Sequence, residues 1–246
     1  MKVLQSVAVV LGIFLGGAEA HASSYTLGNA TINIAVSGRS GGLTFFAPHQ
    51  NETTAVSAAR SVIAKKGGWL IQLMHGGGRN ISFTLGGKKC VFDPNRMFTS
   101  AGLTKTLRDL SPGCPPQATP LVAGFAKAVL GEIKKHPAFG RGIVVAIHNN
   151  TDGGGLSVLT YRGGRDASQV FVSPTKDPDD FFLVTHSGVF STIKAAGYNV
   201  VLQAGGATND GSLSVYAAGA GLGYVNVEAQ QGHLAEQTKM LDDLWH

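Results

Sequence analysis

Residues 31–37 (TINIAVS) alternate apolar and polar positions and are rich in β-branched side chains, which predicts a strand. A turn at 39–42 leads into a second apolar run, 43–47 (LTFFA), and the two are expected to pair as a hairpin. From 52 to 66 the apolar positions fall at Val56, Ala59, Val62 and Ile63, the spacing of one helix face, and Gly67-Gly68 ends the pattern. Residues 69–74 (WLIQLM) form an almost continuous apolar run, as in a strand covered on both faces. A glycine-rich loop, 75–79, follows it.

Further along, 88–92 reads as a short strand and 111–119 as a proline-rich loop. Residues 121–135 read as a helix. Residues 142–147 are a buried strand that runs straight into His148-Asn149-Asn150. Short strands are expected at 170–173, 181–185 and 199–203, with a helix at 188–196 between the last two. The pattern at 213–217 assigns no element. A strand at 224–227 ends at Glu228, and a closing helix at 232–245 carries Leu234, Met240, Leu241 and Leu244.

Strands alternate with helices, which predicts an α/β fold with a mixed, largely parallel central sheet and helices on both faces. No internal repeat or linker interrupts it, so 23–246 is expected to be one domain. Ligand sites in such sheets lie beyond the carboxyl ends of the strands. His49, His148 and Glu228 each fall at such an end.

The first residues read differently. Lys2 precedes an apolar stretch at 3–17, and both Ala18-Glu19-Ala20 and Ala20-His21-Ala22 fit a small-x-small cleavage pattern. This predicts a secretory signal peptide, 1–22, removed after Ala20 or Ala22. The alternative is an uncleaved anchor, although the stretch falls short of the ~20 residues that span a bilayer. No second run of that length follows, so the mature chain is expected to be secreted or periplasmic, without stable membrane insertion.

Composition adds limits. Charged residues are 14% and glycines number 34, which fits a compact chain with many tight turns and excludes a disordered one. The net charge is +5 without a basic run, which argues against a nucleic-acid partner and mildly favours anionic small substrates. Cys90 and Cys114 are the two cysteines. In an oxidising compartment they are expected to form a disulfide closing a loop of about 25 residues, worth roughly 3 kcal/mol. Neither has a neighbouring Cys or His at zinc-ligand spacing.

The candidate chemistry begins at His49-Gln50-Asn51-Glu52. His49 and Glu52 share a turn, and His148 can complete a two-histidine, one-carboxylate set for a single Zn²⁺. Its open position would hold a water whose pKa falls toward ~7, and Glu228 is the candidate to take the proton. On its own His-x-x-Glu matches by chance, and Glu52 also suits a helix N-terminus through the helix dipole.

Residues 92–98 (FDPNRMF) change that balance. They resemble the Asp-Leu-Asn-Arg motif of zinc carboxypeptidases, and more closely that of the succinylglutamate desuccinylase/aspartoacylase branch. That family orders its site as His-x-x-Glu, then Asn-Arg, then a lone His after a buried strand, then a late Glu. The same order stands here as His49 and Glu52, Asn95 and Arg96, His148, Glu228.

The resemblance implies that His49, Glu52 and His148 bind one zinc ion. It implies that Asn95 and Arg96 hold a substrate carboxylate, a task for which a guanidinium fork is suited. Asp93 would orient His49, Arg79 would stabilise the oxyanion with Lys88 as the alternative, and Glu228 would be general base and then acid.

There are departures. Pro94 replaces the usual leucine, and no tyrosine stands clearly at the carboxypeptidase position, with Tyr216 and Tyr224 as candidates. His75 and His186 follow apolar strands and are further candidates to line the site, whereas His233 is expected to begin the last helix. The run Gly76-Gly77-Gly78 is no phosphate loop, because no Lys-Ser/Thr follows. Ser187 lacks the Gly-x-Ser-x-Gly elbow of serine hydrolases.

The expectation is an exported zinc-dependent hydrolase that cleaves an amide next to a free carboxylate, in a small peptide or an acyl-amino acid. Murein peptides are a guess from location alone. The alternative is a secreted binding protein with structural zinc and no turnover.

Overall fold

A computed structural model describes residues 19–136, 143–153 and 155–244. Most of the expected leader, 1–18, lies outside the described residues, as do Gly142 of one expected strand and Trp245 of the last helix.

The chain begins with β1 (Glu19–Leu27) and β2 (Ala30–Arg39), an antiparallel pair. Then come β3 (Thr44–Ala47), α1 (Thr53–Lys66) and β4 (Gly68–Met74). A small separate hairpin, β5 (Ile81–Leu85) and β6 (Lys88–Phe92), precedes a 3₁₀ turn at Pro94–Arg96. Helices α2 (Ser100–Leu110) and α3 (Ala118–Lys135) follow, then β7 (Ile143–Asn150). A 3₁₀ turn at Val158–Tyr161 leads to β8 (Ala167–Phe171) and β9 (Phe181–Val184). The chain finishes with α4 (Ser187–Ala195), β10 (Asn199–Gln203), α5 (Leu213–Gly219), β11 (Gly223–Gln230) and α6 (Leu234–Asp243).

Nine strands form one mixed sheet in the order β1-β2-β4-β3-β7-β11-β9-β10-β8. Its centre, β4-β3-β7-β11, is parallel throughout, and β9 pairs parallel with β10. The joins β2–β4 and β11–β9 and both outer pairs are antiparallel.

The expected hairpin between 31–37 and 43–47 does not form. β2 pairs with β1 and β4, and β3 inserts between β4 and β7. All four residues of β3 are buried, so it needs cover on both faces, which an interior position gives and a hairpin beside alternating β2 does not.

Side chains alternate between two apolar layers. Phe45, Leu70, Val145, Ile147 and Val227 pack beneath Ala59 and Val62 of α1, Ile193 of α4, and Met240 and Leu241 of α6. Phe46, Ile71 and Ala146 point the other way, toward Phe92 of the hairpin, Leu103 of α2, Phe125 and Val129 of α3, and Leu213 of α5. Helices thus cover both faces. On the second face Cys90 and Cys114 are joined, which ties β6 to the turn before α3. Among the described residues, no helix is long and apolar enough to cross a membrane.

Candidate metal centre

The parallel centre brings the carboxyl ends of β3, β7 and β11 together. His148 and Glu228 are direct partners in the β7–β11 register. Pairing at one level places both side chains on the same face, the one occupied by Ala146 and Tyr224. β3 ends at Ala47, and the turn that follows brings His49 and Glu52 to the same spot, with the Glu52 amide donating to the His49 carbonyl at 3.3 Å.

Glu52 is the residue at which α1 begins, yet its side chain makes no cap. Its Oε1 lies 2.8 Å from His49 Nδ1, and its Oε2 lies 3.0 Å from His148 Nδ1. The two Nδ1 atoms are 3.2 Å apart. One donor atom from each of His49, Glu52 and His148 thus falls within 4.8 Å of the others, and all three residues are buried.

Two imidazole nitrogens facing one another beside a carboxylate form a donor set that a cation satisfies. Ligands ~2.1 Å from a tetrahedral zinc stand about 3.4 Å apart, close to what is seen. The residues present therefore fit the ion that the sequence implied.

The surroundings hold these groups still. Asp93 Oδ1 lies 2.8 Å from His49 Nε2 and also accepts from the Asn95 amide at 2.8 Å, so one carboxylate orients the histidine and starts the 3₁₀ turn of the motif. Asn95 Nδ2 approaches His148 Nε2 at 3.5 Å, and its Oδ1 accepts from the Leu213 amide. Gly211 makes the close approach possible. Its φ is +86°, and a Cβ there would collide with the backbone of Arg96 and Gly102.

Arg79 reaches the centre from the glycine loop. Its Nη1 donates to Glu52 Oε1 at 2.6 Å, and its Nη2 lies 3.6 Å from Asp93 Oδ2. The loop itself is organised by Gln50, whose Oε1 accepts from the amides of His75, Gly76 and Gly77 at 2.6, 3.0 and 2.9 Å. That is the physical use of the glycine run, and sequence reading passed over Gln50. Lys88 stands exposed at the start of β6, beside the turn of the β5–β6 hairpin, so the structure brings Arg79 to the centre and not Lys88.

Arg96 does not touch the cluster. Its Nη1 donates to its neighbour's carbonyl at Asn95, and its Nε faces Asp210 Oδ2 at 3.5 Å. His75 is drawn near, and its imidazole is shifted to lower pKa by burial and then by His49. His186 and His233 are elsewhere: His186 caps α4, and His233 precedes α6 with its Nδ1 3.0 Å from Asp180 Oδ2.

The histidines and carboxylates of the centre shift one another strongly. Burial would push the Glu52 and Asp93 carboxyls up. His148 and His49 outweigh it for Glu52, and His49 and Arg79 for Asp93, so both are held below the ordinary carboxylate range. Burial would lower His49, but its bonds to Asp93 and Glu52 raise it.

Glu228 is the opposite case. Burial pushes its carboxyl up, with the nearby Glu52 charge adding to the effect and His148 opposing it. Its Oε1 accepts from Asn226 Nδ2 at 3.1 Å, while Oε2 is buried without a partner. Tyr161, not singled out in the sequence, faces the same charge. Its phenol is pushed up to about 12, first by burial and then by Glu228.

Glu52, Arg79, His148, Asn150 and Glu228 line one cleft of about 490 Å³. A larger hollow of about 800 Å³, between α4 and α6, is walled mainly by apolar side chains such as Val189, Ile193 and Met240. Size alone therefore does not locate the chemistry.

No family model matches the chain, and no curated protein matches it. Among solved structures, the chain is similar to an aspartoacylase family protein from Mesorhizobium loti, at 15% identity and a TM-score of 0.48, over 98% of this chain and 71% of that one. It is also similar to the murein-tripeptide amidase of Escherichia coli O157, at 14% identity and 0.47, over 96% and 94%. A succinylglutamate desuccinylase/aspartoacylase from Rhodobacter sphaeroides matches at 15% identity and 0.45, over 97% and 68%. Identities this low assign no residue a role.

Proposed function

We propose that this protein is an exported zinc-dependent hydrolase that cleaves an amide bond next to a free carboxylate. The observation that carries this is the convergence of His49, Glu52 and His148 beside Glu228, whose inner oxygen is buried and unpartnered. A protein that held zinc only for structure would have no use for an unpaired buried carboxylate next to the ion. Leaving such a group unsatisfied costs about 1–3 kcal/mol or more.

A zinc ion held by these residues would supply Lewis-acid polarisation of the scissile carbonyl and of water. The chain's own groups do the rest. Glu228 takes the proton from the attacking water and returns it to the departing amine nitrogen. Burial raises its pKa, which strengthens it as the acceptor of the water proton. Arg79 lines the cleft with its guanidinium and faces the negative charge that develops on the carbonyl oxygen. Asp93 fixes the His49 ring so that Nδ1 faces Glu52 and His148, with which it would hold the ion.

Arg96 and Asn95 are assigned to the substrate carboxylate. Arg96 is held by Asp210 only at 3.5 Å and is more than a third exposed, so an incoming carboxylate competes for its fork. The substrate class is a small peptide or an acyl-amino acid. The leader read at the start of the sequence makes murein peptides reachable in the cell envelope, and that part rests on location.

The test is Glu228→Gln, assayed on peptides and acyl-amino acids with free carboxylates, murein peptides included. The variant is expected to bind zinc as the wild type does and to lose roughly 10²–10⁴ of its rate. A wild type that releases nothing from any of these, while binding zinc fully, points instead to a binding protein.

A further inference from the structure

A second cluster lies at the other end of the sheet. His21 on β1 meets Glu132 and His136 at the end of α3, and one donor atom from each falls within 4.8 Å of the others. His21 Nε2 is 3.1 Å from Glu132 Oε1, and His136 Nε2 is 3.3 Å from the same oxygen. These are separations of ligands that share an ion: neighbours ~2.1 Å from a tetrahedral metal stand about 3.4 Å apart.

Hydrogen bonding leaves this cluster incomplete. Glu132 is 4% exposed, and Lys135 Nζ holds its Oε2 at 2.9 Å, which leaves Oε1 to the histidines. Oε1 has a hydrogen-bond contact with His21, but His136 Nε2 is buried and has no hydrogen-bond partner, despite its proximity to that oxygen. His136 Nε2 and Glu132 Oε1 thus stand close without a hydrogen bond joining them, an arrangement that a shared cation would satisfy.

The His136 ring is held in place. It packs on Trp69 at 4.6 Å, and its carbonyl accepts from the Thr44 hydroxyl. Thr44 opens β3 and Trp69 lies at the start of β4, whereas His49 follows the far end of β3. The two clusters are therefore at opposite ends of the strands.

We propose that His21, Glu132 and His136 form a second binding site for a divalent transition-metal ion. Two imidazoles and one carboxylate suit zinc or copper rather than calcium or magnesium. The ion fastens β1 to α3. This inference does not rest on the hydrolase reading. It does require that His21 be retained, as it is when the leader is cut after Ala20 or left uncut. Cleavage after Ala22 would delete His21 and strip two more paired residues from β1, His21 and Ala22, than cleavage after Ala20 does.

The experiment uses exported protein, loaded with zinc alone and desalted, with intact mass and zinc content read together. The mass is expected to match a chain that retains His21, with about two zinc ions per chain in the wild type. Glu132→Gln, which keeps the shape of the side chain, is expected to hold one. His21→Gln, a change at a side chain 39% exposed, provides the same test should Glu132→Gln fail to fold. A His49→Ala/His148→Ala double variant is expected to keep the ion that Glu132→Gln loses.

A wild type that starts at Ser23, a double variant that holds no zinc, or a Glu132→Gln protein that still holds two would each overturn the proposal. A wild type with one ion, lost in Glu132→Gln and kept in the double variant, would uphold the second site and remove the central one.

Discussion

Asn149 shows how one side chain frees another for chemistry. Its Oδ1 accepts from the Ala55 amide in the first turn of α1, and its Nδ2 donates to the Ala229 carbonyl and to Gln237 Oε1. Gln237 in turn donates to the His148 carbonyl. An open amide of α1 is thus capped from across the fold, and Glu52, which stands where a local cap would, is left to face His49 and His148. Asn149→Ala is expected to destabilise by roughly 2–4 kcal/mol, because it orphans groups on three elements at once. Urea denaturation of the metal-free protein measures it, and a change under ~0.5 kcal/mol, the level of an ordinary surface substitution, would refute this role. The sequence displays Asn149 only as a polar residue after a strand, since its partners lie 80 or more positions away.

At the scale of elements, the junction of β10 and α6 carries the clearest pH dependence. Tyr198, just before β10, is buried and donates its hydroxyl to Asp243 Oδ2 at 2.6 Å. Burial and that bond raise the phenol to about 12, against 10.0 in an unfolded chain. The folded state then holds the proton more tightly, so the contribution is complete below pH 10 and is lost as pH rises toward about 12. Tyr198→Phe keeps the ring and is expected to lose this slope in denaturation curves taken across that range. An identical slope in both proteins would count against it.

The same scale shows what periodicity can and cannot give. The buried runs in β4, β7 and β11 and the face of α1 were legible, because each is nearly pure in its pattern. Helix α2 was missed, since among its eleven residues the buried ones are Gly102, Leu103, Thr106 and Leu107, only one pair of which is strongly apolar. α5 is seven residues long, too short for a helical period to declare itself. The first pairing was misjudged because which strands neighbour one another depends on burial of both faces of β3, and adjacency in sequence does not report that.

For the whole molecule, the order of His49, Glu52, Asn95, Arg96, His148 and Glu228 along the chain was legible, and the fold gathers His49, Glu52, Asn95, His148 and Glu228. The carboxyl ends of three parallel strands explain why residues so far apart in sequence meet. Three-dimensional facts were out of reach: Gln50 bracing the glycine loop, Tyr161 facing Glu228, and a second histidine cluster at the opposite end. Each joins elements with no shared motif. The central claim is that His49, Glu52 and His148 hold a catalytic zinc ion. The most direct measurement is a calorimetric zinc titration of the metal-free full chain beside His148→Ala, with circular dichroism to show that both are folded. The account predicts a tight binding step in the wild type that weakens by roughly 10²-fold or more in the variant, as loss of a protein ligand from a three-ligand site requires. A folded wild type that takes up no zinc, or a titration unchanged by His148→Ala, would contradict it.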